Sequence, residues 1–270
     1  MTRIAYNHQE EYLGYAEYGN LGGFPILIQH GMIASIKDAS IFSRLINAGA
    51  HLVCMARPGY GESSPYEMKN IAEWADIASM LITELKLSHF DILGMSSGAP
   101  YSYSIGAKFP DQVRNIYIFS GTPALCDPEV QSYWPYPLDP RSTIPELQKL
   151  ARELFFSNLS ADDMTRDEIR DSTMNNCYGI ALDLKLRCMD WGFSLADVKA
   201  RVTMRHSKFD PSVPFITAEL TSQRLPSCRF ETMESDVHFS DEALDDFIKD
   251  RIAPWFCKPL KGTRLKSARK

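Results

Sequence analysis

The chain has 270 residues, 44% of them hydrophobic, which is enough for one α/β domain carrying an insertion. A net charge of −5 excludes a surface that coats nucleic acid or anionic membrane, since either needs clustered Lys and Arg to displace counterions. Met1 to Glu10 lacks the apolar run of a signal peptide, no stretch approaches the length of a membrane span, and the six cysteines show neither C-x-x-C pairs nor zinc spacing, so a cytoplasmic chain with reduced thiols and no metal is expected.

In chain order, Leu13 to Tyr18 reads as part of an N-terminal hairpin at a sheet edge. Short apolar runs then recur at Pro25 to Gln29, Leu52 to Met55, Phe90 to Leu93 and Val113 to Phe119, with helical patterns over Ala39 to Ala48, Ile71 to Leu85 and Pro100 to Phe109 between them. Strand and helix in alternation at this spacing predict a doubly wound, mostly parallel sheet with right-handed crossovers.

From Pro123 to about Ala200 the pattern changes. Pro128, Pro135, Pro137, Pro140 and Pro145 punctuate its first part, segments rich in Leu, Phe and Met follow, and no strand is convincing. This predicts a helical cap over 123–199 inserted into a core formed by 1–122 and 200–257. Strands resume near Val202 to Arg205 and Arg229 to Met233, and a last helix runs from an N-cap at Ser240 through Phe256. Residues 258–270 carry six cations and no acid, which leaves 1–257 at −11 and reads as a solvated basic tail.

The chemistry begins where the strand ending at Leu93 runs into Gly94-Met95-Ser96-Ser97-Gly98 and then a helix that Pro100 can start. A strand-to-helix turn this sharp strains the central serine and holds its Oγ above the sheet, with small residues two positions to either side. A serine hydroxyl is a weak nucleophile near neutral pH and needs an imidazole to take its proton and a carboxylate to hold the imidazole's tautomer. Of six histidines, His206 and His238 follow Ser96 near strand ends. His206 reads as a wall or core residue. His238 leaves the strand Arg229 to Met233 by a short loop, directly before the last helix, and is the expected base. Asp210, in the loop Ser207 to Pro211, is the expected acid, with Asp127 as fallback, and Asp236 stands too close in sequence to orient the ring. The oxyanion formed on attack needs two amide donors, expected at Ser97 N–H and at Met32 N–H in His30-Gly31-Met32.

With His30-Gly31, Arg57-Pro58-Gly59-Tyr60-Gly61-Glu62-Ser63, Gly94 to Gly98, Asp210 and His238, the chain resembles the α/β-hydrolase superfamily over nearly its whole length, specifically its small capped, carboxylesterase-like serine hydrolases. The resemblance implies an eight-stranded sheet, an inserted helical cap and no cofactor. It also implies cleavage of a small ester or thioester with an apolar group, through an acyl-enzyme on Ser96. Carbon-carbon bond hydrolysis, cofactor-free haloperoxidase-like chemistry with the same residues, or a small-molecule receptor of the same shape are the alternatives. Ala56 stands where relatives have the aspartate that opens the Arg-Pro-Gly turn, so Arg57 must find another partner. The cap offers Tyr133, Trp134, Tyr136, Phe155, Phe156, Met189, Trp191 and Phe193, about half of which its own core requires. His30, Tyr133, Trp134 and Trp191 are the expected pocket residues, and a monomer or homodimer acting on a small apolar molecule, without nucleic acid or membrane insertion, is the expected state.

Overall fold

The structure, a computed structural model, describes residues 2–5, 11–137 and 139–256. Its eight strands are β1 (Thr2–Ala5), β2 (Tyr12–Gly19), β3 (Pro25–Gln29), β4 (His51–Met55), β5 (Phe90–Met95), β6 (Val113–Phe119), β7 (Arg201–Ser207) and β8 (Cys228–Met233). They form one sheet in the order β1-β2-β4-β3-β5-β6-β7-β8, the eight-stranded and mostly parallel sheet that was expected. The pair β1 and β2 is antiparallel, β2 joins β4 antiparallel, and the remaining pairings are parallel. The strands β4 and β5 are buried at every position, the mark of a parallel strand covered on both faces. The edge strand β8 has only half-buried and exposed positions, as a sheet margin should.

Helix α1 (Ser43–Asn47) follows the long connection over 30–42 after β3, α2 (Ala72–Glu84) joins β4 to β5, and α3 (Ala99–Lys108) joins β5 to β6. In α2 the residues Trp74, Ile77, Ala78, Leu81 and Ile82 bury one face. In α3 every residue from Ala99 to Gly106 is buried, because sheet and helix enclose it on all sides.

Between β6 and β7 the described residues hold no strand. They form α4 (Pro128–Ser132), α5 (Ile144–Phe155) and α6 (Asp167–Leu186). The Thr143 side chain and Glu146 close a reciprocal cap at the start of α5. Left-handed backbone at Asn175, Asn176 and Cys177 breaks α6 into two directions, and its second half packs against the turns after β4 and β5. Helix α7 (Phe215–Gln223) joins β7 to β8, and α8 (Asp241–Phe247) with α9 (Ala253–Phe256), linked by a π turn over Ile248–Ile252, make the predicted last helix. Ser240 caps it by accepting from Ala243 N–H. The basic run 258–270 and Cys257 lie outside the described residues. The five cysteines among the described residues are free. Among the described residues no helix is long and apolar enough to cross a membrane.

Candidate active site

After β3 the chain leaves toward β4, and after β5 it leaves the other way toward β6. The carboxyl ends of β3 and β5 are thus neighbours at the point where the winding reverses, and a crevice opens there. Gln29 pairs with Gly94, which brings the loop after β3 against the turn after β5. A Cβ built on Gly31 would stand 3.7 Å from Ser96 Cβ.

The turn itself has the strain its sequence predicts. Ser96 has φ of 47°, the left-handed region that a side chain enters at a cost of about 1 kcal/mol or more. Its flanking glycines have no room for a methyl group: a Cβ on Gly94 would overlap Ser102 Oγ, and one on Gly98 would overlap the carbonyl of Gln29. Thr122 N–H bonds the Ser96 carbonyl at 2.9 Å and fixes the turn from the β6 side.

His238 and Asp210 arrive on two loops that are tied together. Lys208 N–H donates to Met233 O, Phe209 N–H to Ser235 O and Ser207 Oγ to Val237 O. These bonds bring the carboxylate and the imidazole side by side, and Ser96 Oγ lies 2.9 Å from His238 Nε2 while His238 Nδ1 lies 2.7 Å from Asp210 Oδ2. The other carboxylate oxygen accepts from Ser212 N–H at 2.8 Å and Val213 N–H at 2.9 Å. Burial pushes the Asp210 carboxyl up, but the His238 hydrogen bond and charge, with those two amides, outweigh it and hold its pKa below the ordinary carboxylate value. Asp210 is therefore ionised at neutral pH, and the 2.7 Å contact makes Nδ1 the protonated nitrogen, leaving Nε2 free to accept from Ser96.

The other sequence candidates stand apart. Asp127 caps α4 by accepting from Glu129 and Val130 N–H and pairs with Arg224, so the fallback acid does not face the imidazole. Asp236 is exposed. His206 is buried, as expected for a wall residue, with Nε2 donating to Val213 O at 3.0 Å and lying 3.4 Å from Asp210 Oδ2. Met32 and Ser97 both lie in the two loops that meet at Ser96.

Two of the four expected pocket residues prove to be core. Trp191 is 1% exposed, stacks near Phe193 and donates to the Arg187 carbonyl. The His30 ring is also buried, and both its nitrogens are engaged within the protein. Each is filled in by the helix and turn packed upon it, which the sequence pattern does not reveal. Tyr133 is exposed, and Trp134 packs half-buried against Leu125, Val130 and Leu220. Large apolar side chains missed in the sequence stand exposed on the loops that carry the site: Ile33 beside Met32, and Val237 and Phe239 on either side of His238. Tyr136, also exposed, bonds the carbonyl of Pro211 next to Asp210.

The sequence reading also missed where Arg57 would pair. It forms a buried ion pair with Asp183 of α6, at 2.7 Å between Nη2 and Oδ2. Burial opposes the charge on Arg57, yet Asp183 outweighs it and raises the guanidinium's pKa.

Comparison with known proteins agrees with this architecture. The family model described as alpha/beta hydrolase fold matches residues 25–263. The chain belongs to the α/β-hydrolase fold family. Among curated relatives, this α/β-hydrolase is 27% identical to an uncharacterized hydrolase, YcgS, of Bacillus subtilis (strain 168) over 108 residues, which are 40% of this chain and 38% of that one. The chain thus spans under two-fifths of the length of that curated relative. Among solved structures, MGS-M2, an alpha/beta hydrolase enzyme from a Medee basin deep-sea metagenome library, superimposes with a TM-score of 0.71 at 15% identity, covering 98% of this chain and 100% of that one. The esterase EaEST of Exiguobacterium antarcticum gives 0.67 at 19% identity, covering 92% and 96%.

Two buried histidines make the stability of this α/β-hydrolase sensitive to mild acid. Burial lowers the pKa of both His30 and His206, for His30 with help from the Arg57 charge. The unfolded chain takes up these protons near pH 6.5, whereas the folded protein resists them to lower pH. Stability is therefore full above about pH 6.5 and is lost as pH falls below it, by up to about 1.4 kcal/mol per pH unit for each ring. Urea midpoints measured from pH 7.5 to 5 should hold to about pH 6.5 and fall below it, and a profile flat to pH 5 would contradict the neutral assignment of both rings.

Proposed function

We propose that this α/β-hydrolase cleaves a small carboxylic ester or thioester with an apolar group, through an acyl-enzyme on Ser96. The observation that carries the reading is the continuous contact from hydroxyl to imidazole to ionised carboxylate, 2.9 Å and 2.7 Å long, on a strained turn. His238 Nε2 takes the Ser96 proton as Oγ attacks the carbonyl carbon, and Asp210 stabilises the imidazolium that forms. The carbonyl oxygen becomes an oxyanion held by the amides of Met32 and Ser97. The tetrahedral intermediate then collapses, the leaving alcohol or thiol receives the proton from His238, and a water activated by the same ring releases the acid.

The helices of 123–199 act as the cap over this crevice. The apolar side chains exposed around it, Ile33, Val237, Phe239 and Tyr136, suit an acyl or alcohol group without charge. The name of the esterase EaEST agrees with ester cleavage. Fluorophosphonate labelling of the native protein tests the nucleophile: one site, at Ser96, should label and Ser96→Ala should not. Undiminished labelling of that variant would overturn the assignment.

A further inference from the structure

The acyl-transfer steps leave the buried pair of Arg57 and Asp183 unused. Both side chains are almost wholly inaccessible, at 1% and 3%. Removing two opposite charges from water is costly, and apolar residues of similar volume often fill such a space with equal or better stability. Stability therefore gives little reason for the pair, and its remaining contacts give a better one.

Arg57 spends its other hydrogen bonds on the two loops that meet at Ser96. Nη1 donates to His30 O at 2.6 Å, while Nη2 donates to Gly31 O at 2.9 Å and Ser97 Oγ at 3.1 Å. Asp183 accepts from Tyr101 at 2.6 Å, Tyr60 at 2.9 Å and Ser97 Oγ at 3.2 Å. In a trans peptide the carbonyl and the N–H point in opposite directions, so whatever fixes Gly31 O also aims the N–H of Met32. Gly31 O is held twice, by Arg57 and by His30 Nδ1 at 2.7 Å. His30 Nε2 accepts from Arg57 N–H at 3.1 Å, which leaves Nδ1 as the nitrogen with the proton. Ser97, whose N–H is the second amide, has its hydroxyl clamped between the two charges.

We infer that Arg57 and Asp183 are positioning residues that aim both amides of the oxyanion hole. The inference rests on the acyl-transfer reading. The guanidinium also places a positive charge behind the Gly31–Met32 peptide, polarising its N–H toward the developing oxyanion. Because Asp183 belongs to α6 in the segment between β6 and β7, the hole is aimed only while that helix is seated. The helix therefore takes part in arming the site as well as covering it.

The test uses the full chain and hydrolysis of p-nitrophenyl butyrate. If Ser96→Ala matches the wild type, the acyl-transfer reading fails and this inference falls with it, a result distinct from any failure of the pair. Asp183→Asn leaves a buried guanidinium uncompensated and risks unfolding. The deciding variant is Arg57→Met/Asp183→Leu, which removes both charges at similar volume. It should fold, lose roughly 30-fold or more in kcat and keep KM within about threefold. Its inhibition constant for a trifluoromethyl ketone of the same acyl length, whose adduct with Ser96 fills the hole with an oxyanion, should rise by the same factor. A kcat within about twofold of wild type, or a fall in kcat with the ketone's affinity unchanged, would overturn the inference. Should the double variant not fold, Ser97→Ala serves instead: it keeps the amide and removes the clamp, and should lose about fivefold in both kcat and ketone affinity. No change in either would likewise overturn it.

Discussion

Ser96→Ala and His238→Ala are each expected to lower kcat for ester hydrolysis by about four to six orders of magnitude, and the double variant to be no slower than either. The reason is that in the proposed acyl transfer the hydroxyl and imidazole act as one unit. Without the ring at 2.9 Å, Ser96 Oγ has no acceptor for its proton and remains a neutral alcohol; without the hydroxyl, the ring has no nucleophile to activate. What should survive in each case is the stabilisation of an oxyanion formed by water attack that the proposed donors, Met32 and Ser97 N–H, would provide, which neither substitution touches. The measurement is the burst and steady-state release of p-nitrophenolate for the three variants. Rates that multiplied to a far lower value in the double variant would show two independent contributions and would contradict the shared step. His238→Ala removes a half-exposed loop side chain, so its melting temperature should stay close to that of the wild type.

Asp210→Asn is expected to cost about four orders of magnitude in kcat while leaving the fold intact. One carboxylate oxygen accepts from two amides, Ser212 and Val213, and only an oxygen can stand there. The asparagine must therefore direct its NH2 to His238 Nδ1, which forces Nδ1 to accept and Nε2 to carry the proton. A ring in that tautomer faces Ser96 with a donor and cannot take its proton. Neighbouring His206 does not rescue the variant, because burial holds it neutral and its Nε2 is committed to Val213 O. A loss of less than about tenfold would mean that the ring keeps its working tautomer without Asp210.

Much of the architecture was legible from residue order. The short apolar runs at Pro25, Leu52, Phe90 and Val113 all fall on strands, because a strand buried on both faces requires a nearly unbroken apolar run, and the mixed segments at Val202 and Arg229 fall on β7 and β8 toward the sheet margin. The Gly94 to Gly98 turn was equally plain, since its glycines answer to clashes with atoms close by in the fold. The pocket was less legible. His30 and Trp191 have the composition of lining residues and prove to be core, whereas Val237 and Phe239, unremarkable in sequence, flank the imidazole in the open.

By itself, then, the sequence determined the alternation of strand and helix, the helical insertion and the strained turn at Ser96. These depend on periodicity and turn chemistry, which neighbours within a few residues dictate. Only the tertiary structure decided what replaces the missing aspartate beside Arg57. The partner is Asp183, 126 positions away, on the half of α6 that follows the left-handed residues Asn175 to Cys177 and packs against the turns after β4 and β5. No local pattern encodes that meeting, since it depends on where a bent helix comes to rest and on which buried charge is left to neutralise there.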